Sequence, residues 1–267
     1  MQVMEKVIRE KEFHNEWARS LDIADIRVRE SFEAGTAIEN RFALQEMGDL
    51  RDKKMLDLGC GAGETSVYFA LQGAKVWACD VSEEFLKVAR SVAGLHGVEL
   101  RLIQMDAARM PFRKDFFDFV FGNGVLHHAD LLPAGREIQR VLKKGGKAIF
   151  VEPLPYNPII NVYRAMAKAV RSEDERPLSF RQLRELRPLF SSYRHREFWL
   201  FSLLIFIHFY FVKRWHPGRV RYWKKVIDEA KVIEKPFAFL QKIDEFALKY
   251  FPLLGFLCWN TVLVLKK

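Results

Sequence analysis

Among the first 50 positions, Val28, Phe32, Ile38, Phe42 and Leu44 recur at helical spacing among charged residues, and Gly35 interrupts them. This predicts a helical cap over residues 1–50. From Met55 the pattern changes to short apolar runs of strand length separated by helical stretches. Met55 to Leu58 reads as a strand running into Gly59-Cys60-Gly61-Ala62-Gly63, followed by a helix from Glu64 to Gln72 that ends at Gly73. Val76 to Asp80 reads as a second strand and Ser82 to Leu95 as a second helix. Leu100 to Gln104 is a third strand, and Phe117 to Phe121 a fourth that leads into Gly122-Asn123-Gly124. Pro133 to Leu142 is a helix closed by Gly145-Gly146, and Lys147 to Val151 a fifth strand ending at Glu152-Pro153. Strands alternating with helices imply right-handed crossovers and an α/β fold, its parallel sheet covered by helices on both faces. Ligands of such folds bind beyond the carboxyl ends of the strands.

After Pro153 the alternation stops. Tyr156 to Val170 reads as a helix, Ser179-Phe180-Arg181-Gln182 as a capping box opening a basic helix to Arg187, and Pro188 as its stop. Phe198 to Val212 is the longest apolar run, Arg219 to Glu234 an amphipathic basic helix, and Phe237 to Tyr250 another helix. Trp259 to Leu265 is rich in β-formers and predicts a late strand. The expected organisation is a cap at 1–50, a ligand-binding core at 51–153, a helical hydrophobic and basic appendage at 154–258, and a final core strand at 259–267.

The chain of 267 residues is 49% hydrophobic and 29% charged, which excludes a disordered tail, a collagen-like fibre and a disulfide-stapled mini-protein. Three scattered cysteines, Cys60, Cys79 and Cys258, make neither a disulfide framework nor a zinc cluster, so a reducing compartment and no metal are expected. The N-terminus mixes charges and carries no apolar block of signal-peptide length, which predicts a cytoplasmic protein. Residues 1–150 carry 22 Lys+Arg against 23 Asp+Glu, and residues 151–267 carry 21 against 11, so the basic excess coincides with the apolar run. That pairing suits an anionic, apolar partner such as a lipid surface.

A glycine turn between a strand and a helix lets a ligand approach unpaired backbone N–H groups. The dinucleotide fingerprint needs Gly or Ala where Glu64 stands, and a carboxylate there opposes a pyrophosphate, so NAD is disfavoured. The loop suits a ligand without phosphates: an amino-acid end near the glycines, ribose hydroxyls on Asp80, and an adenine amino group on Asp106.

Asp57-Leu58-Gly59-Cys60-Gly61-Ala62-Gly63, Asp80, Asp106 with Ala107, and Asn123-Gly124-Val125-Leu126-His127-His128 before Lys144-Gly145-Gly146 resemble the class I S-adenosylmethionine-dependent methyltransferases over residues 50–153. The resemblance implies a Rossmann-like, seven-stranded, mostly parallel sheet whose last strand, Trp259 to Leu265 here, is antiparallel. It implies S-adenosylmethionine as cofactor, with Asp57, Gly59, Gly61 and Gly63 of the loop near the methionine part. Asp80 then takes the ribose, Asp106 with Ala107 the adenine, and Asn123 lies close by.

Methyl transfer from a sulfonium mainly requires alignment and exclusion of water, with a base if the acceptor must lose a proton. His127 and His128 are the candidate bases, because they follow the fourth strand at the sheet's carboxyl edge and have an ordinary pKa of about 6.5. Glu152 and Tyr156 rank behind them.

As a helix, the 15 residues from Phe198 to Val212 would cover ~22 Å, short of the ~30 Å hydrocarbon slab. Arg194, His195 and Arg196 precede the run and Lys213, Arg214 and His216 follow it, as in a segment dipping into an interface. Val220, Trp223, Ile227, Ala230 and Ile233 next form a stripe beside basic residues. Two readings stay open here: a membrane-facing surface, or a substrate lid in which the start of the run is the sixth strand. The function expected is methyl transfer to a hydrophobic or lipid-like small molecule, with the enzyme peripheral at the inner face of the membrane. The alternatives are a nucleic-acid methyltransferase and a non-catalytic S-adenosylmethionine-binding protein. Nucleic acid is the weaker partner, because the fourth strand ends in Gly122-Asn123-Gly124 rather than an Asn/Asp-Pro-Pro-aromatic loop.

Overall fold

The computed structural model describes residues 2–168, 171 and 176–267, and side chains from residue 9 onward. Seven strands form one sheet: β1 (Lys54–Leu58), β2 (Lys75–Asp80), β3 (Arg101–Gln104), β4 (Phe117–Asn123), β5 (Leu142–Pro153), β6 (Ser192–Phe198) and β7 (Asn260–Lys266). Their order is β3-β2-β1-β4-β5-β7-β6. The first five pair in parallel, and β7 runs antiparallel to both β5 and β6. The expected Rossmann-like sheet with an antiparallel last strand is therefore what forms.

Alternation along each strand feeds two cores. Met55, Phe119, Phe121, Ile149, Val151, Val262 and Val264 point to one face. Leu56, Leu58, Val120, Ala148, Phe150, Leu263 and Leu265 point to the other. The first face is covered by α2 (Glu30–Glu33), α3 (Ile38–Met47), α4 (Glu64–Leu71) and α5 (Glu83–Leu95), with Phe32, Val67, Phe69 and Val92 buried. The second is covered by α6 (Leu131–Val141) and α8 (Phe180–Arg184), the latter opened by the expected Ser179–Gln182 capping box. Ahead of them, α1 (Gln2–Arg19) lies against α5. Between them, α7 (Pro158–Met166) starts on Asn157, whose Oδ1 accepts the Ile160 N–H at 3.1 Å; the end expected at Val170 lies outside the described residues.

Three boundaries differ from the sequence reading. Gly145-Gly146 does not close a helix, because α6 ends at Val141 and β5 runs through both glycines. Phe117 pairs with Leu142 but Phe119 with Lys147, so residues 143–146 bulge outward, with Gly145 at φ +76°.

The apolar run is not one segment. Phe198 ends β6, Trp199 turns at φ +68°, and only α9 (Leu204–Phe211) is helical. The cause lies 42 to 44 residues downstream, in the helix Ala230–Tyr250, where the buried Asp244 carboxylate accepts the N–H groups of Leu200, Phe201 and Ser202 at 3.1, 2.6 and 3.3 Å and the Ser202 hydroxyl at 2.6 Å. Arg194, His195 and Arg196 belong to the edge strand β6 and are not flanks of an interfacial helix.

The expected helix from Arg219 to Glu234 is two helices, α10 (Tyr222–Asp228) and α11 (Ala230–Tyr250), separated at Glu229. Its predicted stripe is displaced: Tyr222, Val226 and Ile233 are buried, whereas Trp223 faces outward. Docking onto the cap sets this rotation, since the Thr36 hydroxyl donates to the Val226 carbonyl at 2.9 Å. No helix among the described residues is long and apolar enough to cross a membrane.

Replacing Asp244 leaves several buried N–H groups without an acceptor, and each such group costs about 1–3 kcal/mol. Asp244→Ala is therefore expected to lower stability by about 3 kcal/mol or more in urea unfolding. A loss below about 0.5 kcal/mol would mean that the turn after β6 is held by something else.

Candidate cofactor and active site

The loop joining β1 to α4 reverses on Gly59, Gly61 and Gly63, at φ +68°, +51° and +89°. These glycines have different reasons. A Cβ on Gly59 would stand 2.6 Å from Val125 Cγ2, and one on Gly63 would stand 2.8 Å from the Ala89 Cβ on α5. Both are packing glycines. A Cβ on Gly61 would meet nothing within 4 Å, so this residue alone faces open space.

Carboxylates hold the loop in place. Asp80, at the end of β2, accepts the Gly61 N–H on Oδ2 at 3.0 Å and the Ser82 N–H on Oδ1 at 2.8 Å. Asp57 lies beneath, buried, with its Oδ2 accepting the Ser66 hydroxyl of α4 at 2.5 Å. Burial lifts the carboxyl groups of Asp57, Glu64 and Asp80 above the usual range, Asp57 to about 7. Glu64 is drawn partly back down by a backbone hydrogen bond and by the charge of Lys224 on α10.

Asp106, after β3, is exposed and accepts the Ala108 N–H at 2.9 Å, with Ala107 buried beside it. Met105 N–H donates to the Asp80 carbonyl at 3.2 Å, so these two acids stand at neighbouring strand ends. Asn123 is exposed at the end of β4, which pairs with β1. The residues expected to hold a cofactor thus line the carboxyl edge of β3, β2, β1 and β4.

The two histidines have separate environments. His127 is buried, with Nδ1 2.7 Å from Oε2 of Glu152, while Glu152 Oε1 accepts the Val125 and Leu126 N–H groups at 3.0 and 2.8 Å. That arrangement ties the loop after β4 to the end of β5. His128 is partly open, with Nδ1 3.1 Å from Glu10 Oε2, and the same oxygen lies 3.4 Å from Nε2 of His14. Tyr156 is engaged elsewhere, its hydroxyl accepting the Phe180 N–H at 3.0 Å.

Glu10 and His14 belong to α1, and they are functional candidates that the sequence reading did not single out. The helix lies across the carboxyl edge: Ser82 donates to Asn15 Oδ1 at 2.7 Å, Trp17 packs edge-on against Phe85, and Arg221, just before α10, sits 4.0 Å over the Trp17 ring. Glu10, His14 and Trp17 follow the i, i+4, i+7 step of one helix face, which was the available signal. Glu10, His14 and His128 offer ligand atoms within 4.8 Å of one another, a spacing that would admit a cation. His14 Nδ1, however, is buried without a hydrogen-bond partner, whereas the second nitrogen of a metal-bound imidazole is normally anchored. A groove of about 690 Å³ runs along β6, at the edge of the sheet and four strands from β1, between Arg184, Arg187, Arg194 and Arg196, and has no part in this site.

A family model described as "Methyltransferase domain" matches residues 56–150. This segment, with the sheet and strand-end acids around it, is a class I S-adenosylmethionine-dependent methyltransferase domain. The chain is 34% identical over 115 residues to an uncharacterized methyltransferase, YcgJ, of Bacillus subtilis, covering 42% of this chain and 46% of that protein. It is 36% identical over 106 residues to the ubiquinone/menaquinone biosynthesis C-methyltransferase UbiE of Cupriavidus metallidurans, covering 38% and 43%. The alignments thus span about half the length of these relatives. In structure it is similar to Bacillus subtilis YcgJ, with TM-score 0.55, 22% identity and coverage of 87% of this chain and 97% of that one. A Thermotoga maritima S-adenosylmethionine-dependent methyltransferase gives TM-score 0.55 at 17% identity, covering 97% and 98%. At these identities the structural likeness shows the fold.

The residues present fit S-adenosylmethionine. The open side of Gly61 leaves room against backbone, Asp80 stands beside it to take hydroxyl donors, and three acids under burial stress favour a cationic ligand.

Gly61→Ala should cost only about 1 kcal/mol, for the left-handed backbone, while lowering affinity for S-adenosylhomocysteine at least about tenfold by calorimetry. Gly63→Ala should instead cost about 2–5 kcal/mol of stability, because its methyl collides with α5. Equal effects of the two on stability would contradict the division of roles.

Asp57 gives a pH dependence with a definite sign. Its folded pKa of about 7 lies above the ordinary 3.8, so its stabilising contribution is complete below about pH 4 and disappears as pH rises to about 7. Asp57→Asn should therefore gain stability relative to wild type between pH 5 and about 8 in paired urea titrations. A constant difference across that range would place the Asp57 pKa near its ordinary value.

Proposed function

We propose that the protein transfers a methyl group from S-adenosylmethionine to a hydrophobic or lipid-like small molecule, in the cytoplasm and at the inner face of the membrane. The observation that carries the cofactor half is the open Gly61 backbone joined to the buried Asp80 carboxylate. When bound, S-adenosylmethionine supplies a methyl group on a positively charged sulfur. Gly61 brings backbone to its methionine part on a loop that Gly59 and Gly63 shape by close packing, Asp80 accepts from its ribose, and Asp106 with Ala107 and Asn123 border the adenine side.

The remaining work falls to this chain's own side chains. The roof made by α1 and α10, with Trp17 and Trp223 6.1 Å apart edge-on, keeps water from the sheet edge. His128, partly open and adjoining Glu10, is the base that takes a proton from the acceptor, and Glu10 stabilises the imidazolium that results. His127 is a positioning residue, held by Glu152. The hydrophobic class of acceptor is supported by the aromatic roof and by relatives named as ubiquinone/menaquinone biosynthesis C-methyltransferase and demethylmenaquinone methyltransferase.

The test has two stages. Calorimetry should detect S-adenosylhomocysteine binding that Asp80→Ala abolishes, and labelled methyl should then pass to members of a panel of alkylated quinols and phenols. No heat with the wild-type chain overturns the cofactor site; binding without transfer to any panel member favours a non-catalytic S-adenosylmethionine-binding protein. His128→Ala should reduce turnover by about 100-fold or more at unchanged S-adenosylhomocysteine affinity, whereas His127→Ala should mainly lower stability. A loss below about tenfold for His128→Ala would remove it from proton transfer.

A further inference from the structure

The helix α11 has 21 residues and buries Ile233, Phe237, Asp244 and Ala247. Its outward side is also patterned. Val232, Phe239 and Phe246 recur every seventh residue and are 67%, 66% and 61% exposed, and Leu253, one further step along, is 79% exposed. Lys235, Lys242 and Lys249 repeat at the same interval, each three residues after an apolar one, and all are exposed. At 3.6 residues per turn, the order around the helix is buried face, apolar row, lysine row, then Glu234 and Glu245. The acids therefore lie beyond the lysines from the apolar row.

The neighbouring α9 extends this surface. Asp244 of α11 caps the turn just before α9, and Lys213 just after it pairs at 2.8 Å with Glu229 just before α11, so α9 runs back along α11. It leaves Leu204, Ile207 and Phe211 exposed, with Val212 beyond.

Two kinds of occupant suit a row with a seven-residue repeat. A helical partner requires a second apolar row beside the first, but the row three residues on is lysine three times over, and the row four residues on is broken by Pro236 and by Ile243, which is half-buried in the chain's own fold. A bilayer surface requires no such thing, since ammonium groups reach headgroup phosphates while their stems lie along the acyl boundary. The charge also fits, with 21 Lys+Arg against 11 Asp+Glu over residues 151–267.

We propose that the outward face of α11, continued by α9, docks on an anionic lipid bilayer, with Phe239 and Phe246 at the acyl boundary and Lys235, Lys242 and Lys249 at the phosphates. This deepens the reading of a hydrophobic acceptor and rests on it for its purpose, because it sets the enzyme where such an acceptor dissolves. It also shifts the main membrane contact from the apolar run, of which only α9 takes part, to α11, whose C-terminal two-thirds the sequence reading gave simply as another helix.

The experiment is flotation of the full chain with phosphatidylcholine vesicles, with and without phosphatidylglycerol, at low and high salt. Enrichment on the anionic vesicles that declines with salt is expected. Joint Lys235→Glu, Lys242→Glu and Lys249→Glu substitution should lower partitioning about 100-fold or more. Phe239→Ser with Phe246→Ser should lower it at least about tenfold. Thermal midpoints and S-adenosylhomocysteine affinity at wild-type values certify the fold of both variants. No enrichment of the wild-type chain, or variants that float like it, overturns the docking surface. A wild-type dimer in gel filtration that the variants dissociate, without vesicle binding, assigns the face to a second copy and also overturns it. Flotation in a chain that binds no S-adenosylhomocysteine leaves the surface standing and overturns only the methyltransferase reading.

Discussion

Buried carboxylates accepting backbone N–H groups are the constraint on which the site depends. At the carboxyl edge of a parallel sheet the chain leaves each strand with unpaired donors, and burial makes an unmet donor costly. Asp80 meets this for the glycine loop and the start of α5, and Glu152 for the loop after β4. Asp57 does the equivalent for α4 through Ser66. Away from the sheet, Asp244 uses the same device to turn the chain after β6. The carboxyl groups are thus the scaffold of the site in which the proposed chemistry takes place.

The roof over this edge comes from both ends of the chain. Trp17 of α1 meets Arg221, just before α10, and Trp223 of α10, while Thr36 and Arg27 of the cap reach Val226 and Asp228. Residues 56–150 supply a cofactor half common to many proteins, and the two flanks supply what covers it. The flanks carry Glu10 and His14, which meet His128 of the core, together with the aromatic lid and the lysine-edged apolar row on α11. In the proposed reading, acceptor choice and membrane contact fall to those flanks.

The strand and helix alternation, the antiparallel last strand and the glycine loop were legible because each rests on residues near one another in sequence. Period-2 burial marks a strand, and a capping box such as Ser179 to Gln182 needs only one turn of helix. The strand-end acids were legible for the same reason, since a βα unit brings its own strand end to its own loop. Tertiary structure alone decided what distant groups impose. Asp244 broke the apolar run into strand end, turn and short helix, and contact with the cap rotated α10 so that Tyr222 faces inward and Trp223 outward. It also separated two adjacent histidines, one buried on Glu152 and the other facing α1. Hydrophobic periodicity reports which side of a helix prefers burial, but this chain has more apolar sides than its sheet can cover. Which of them stay exposed is set by how the helices share the two faces, a global packing outcome that no local pattern encodes.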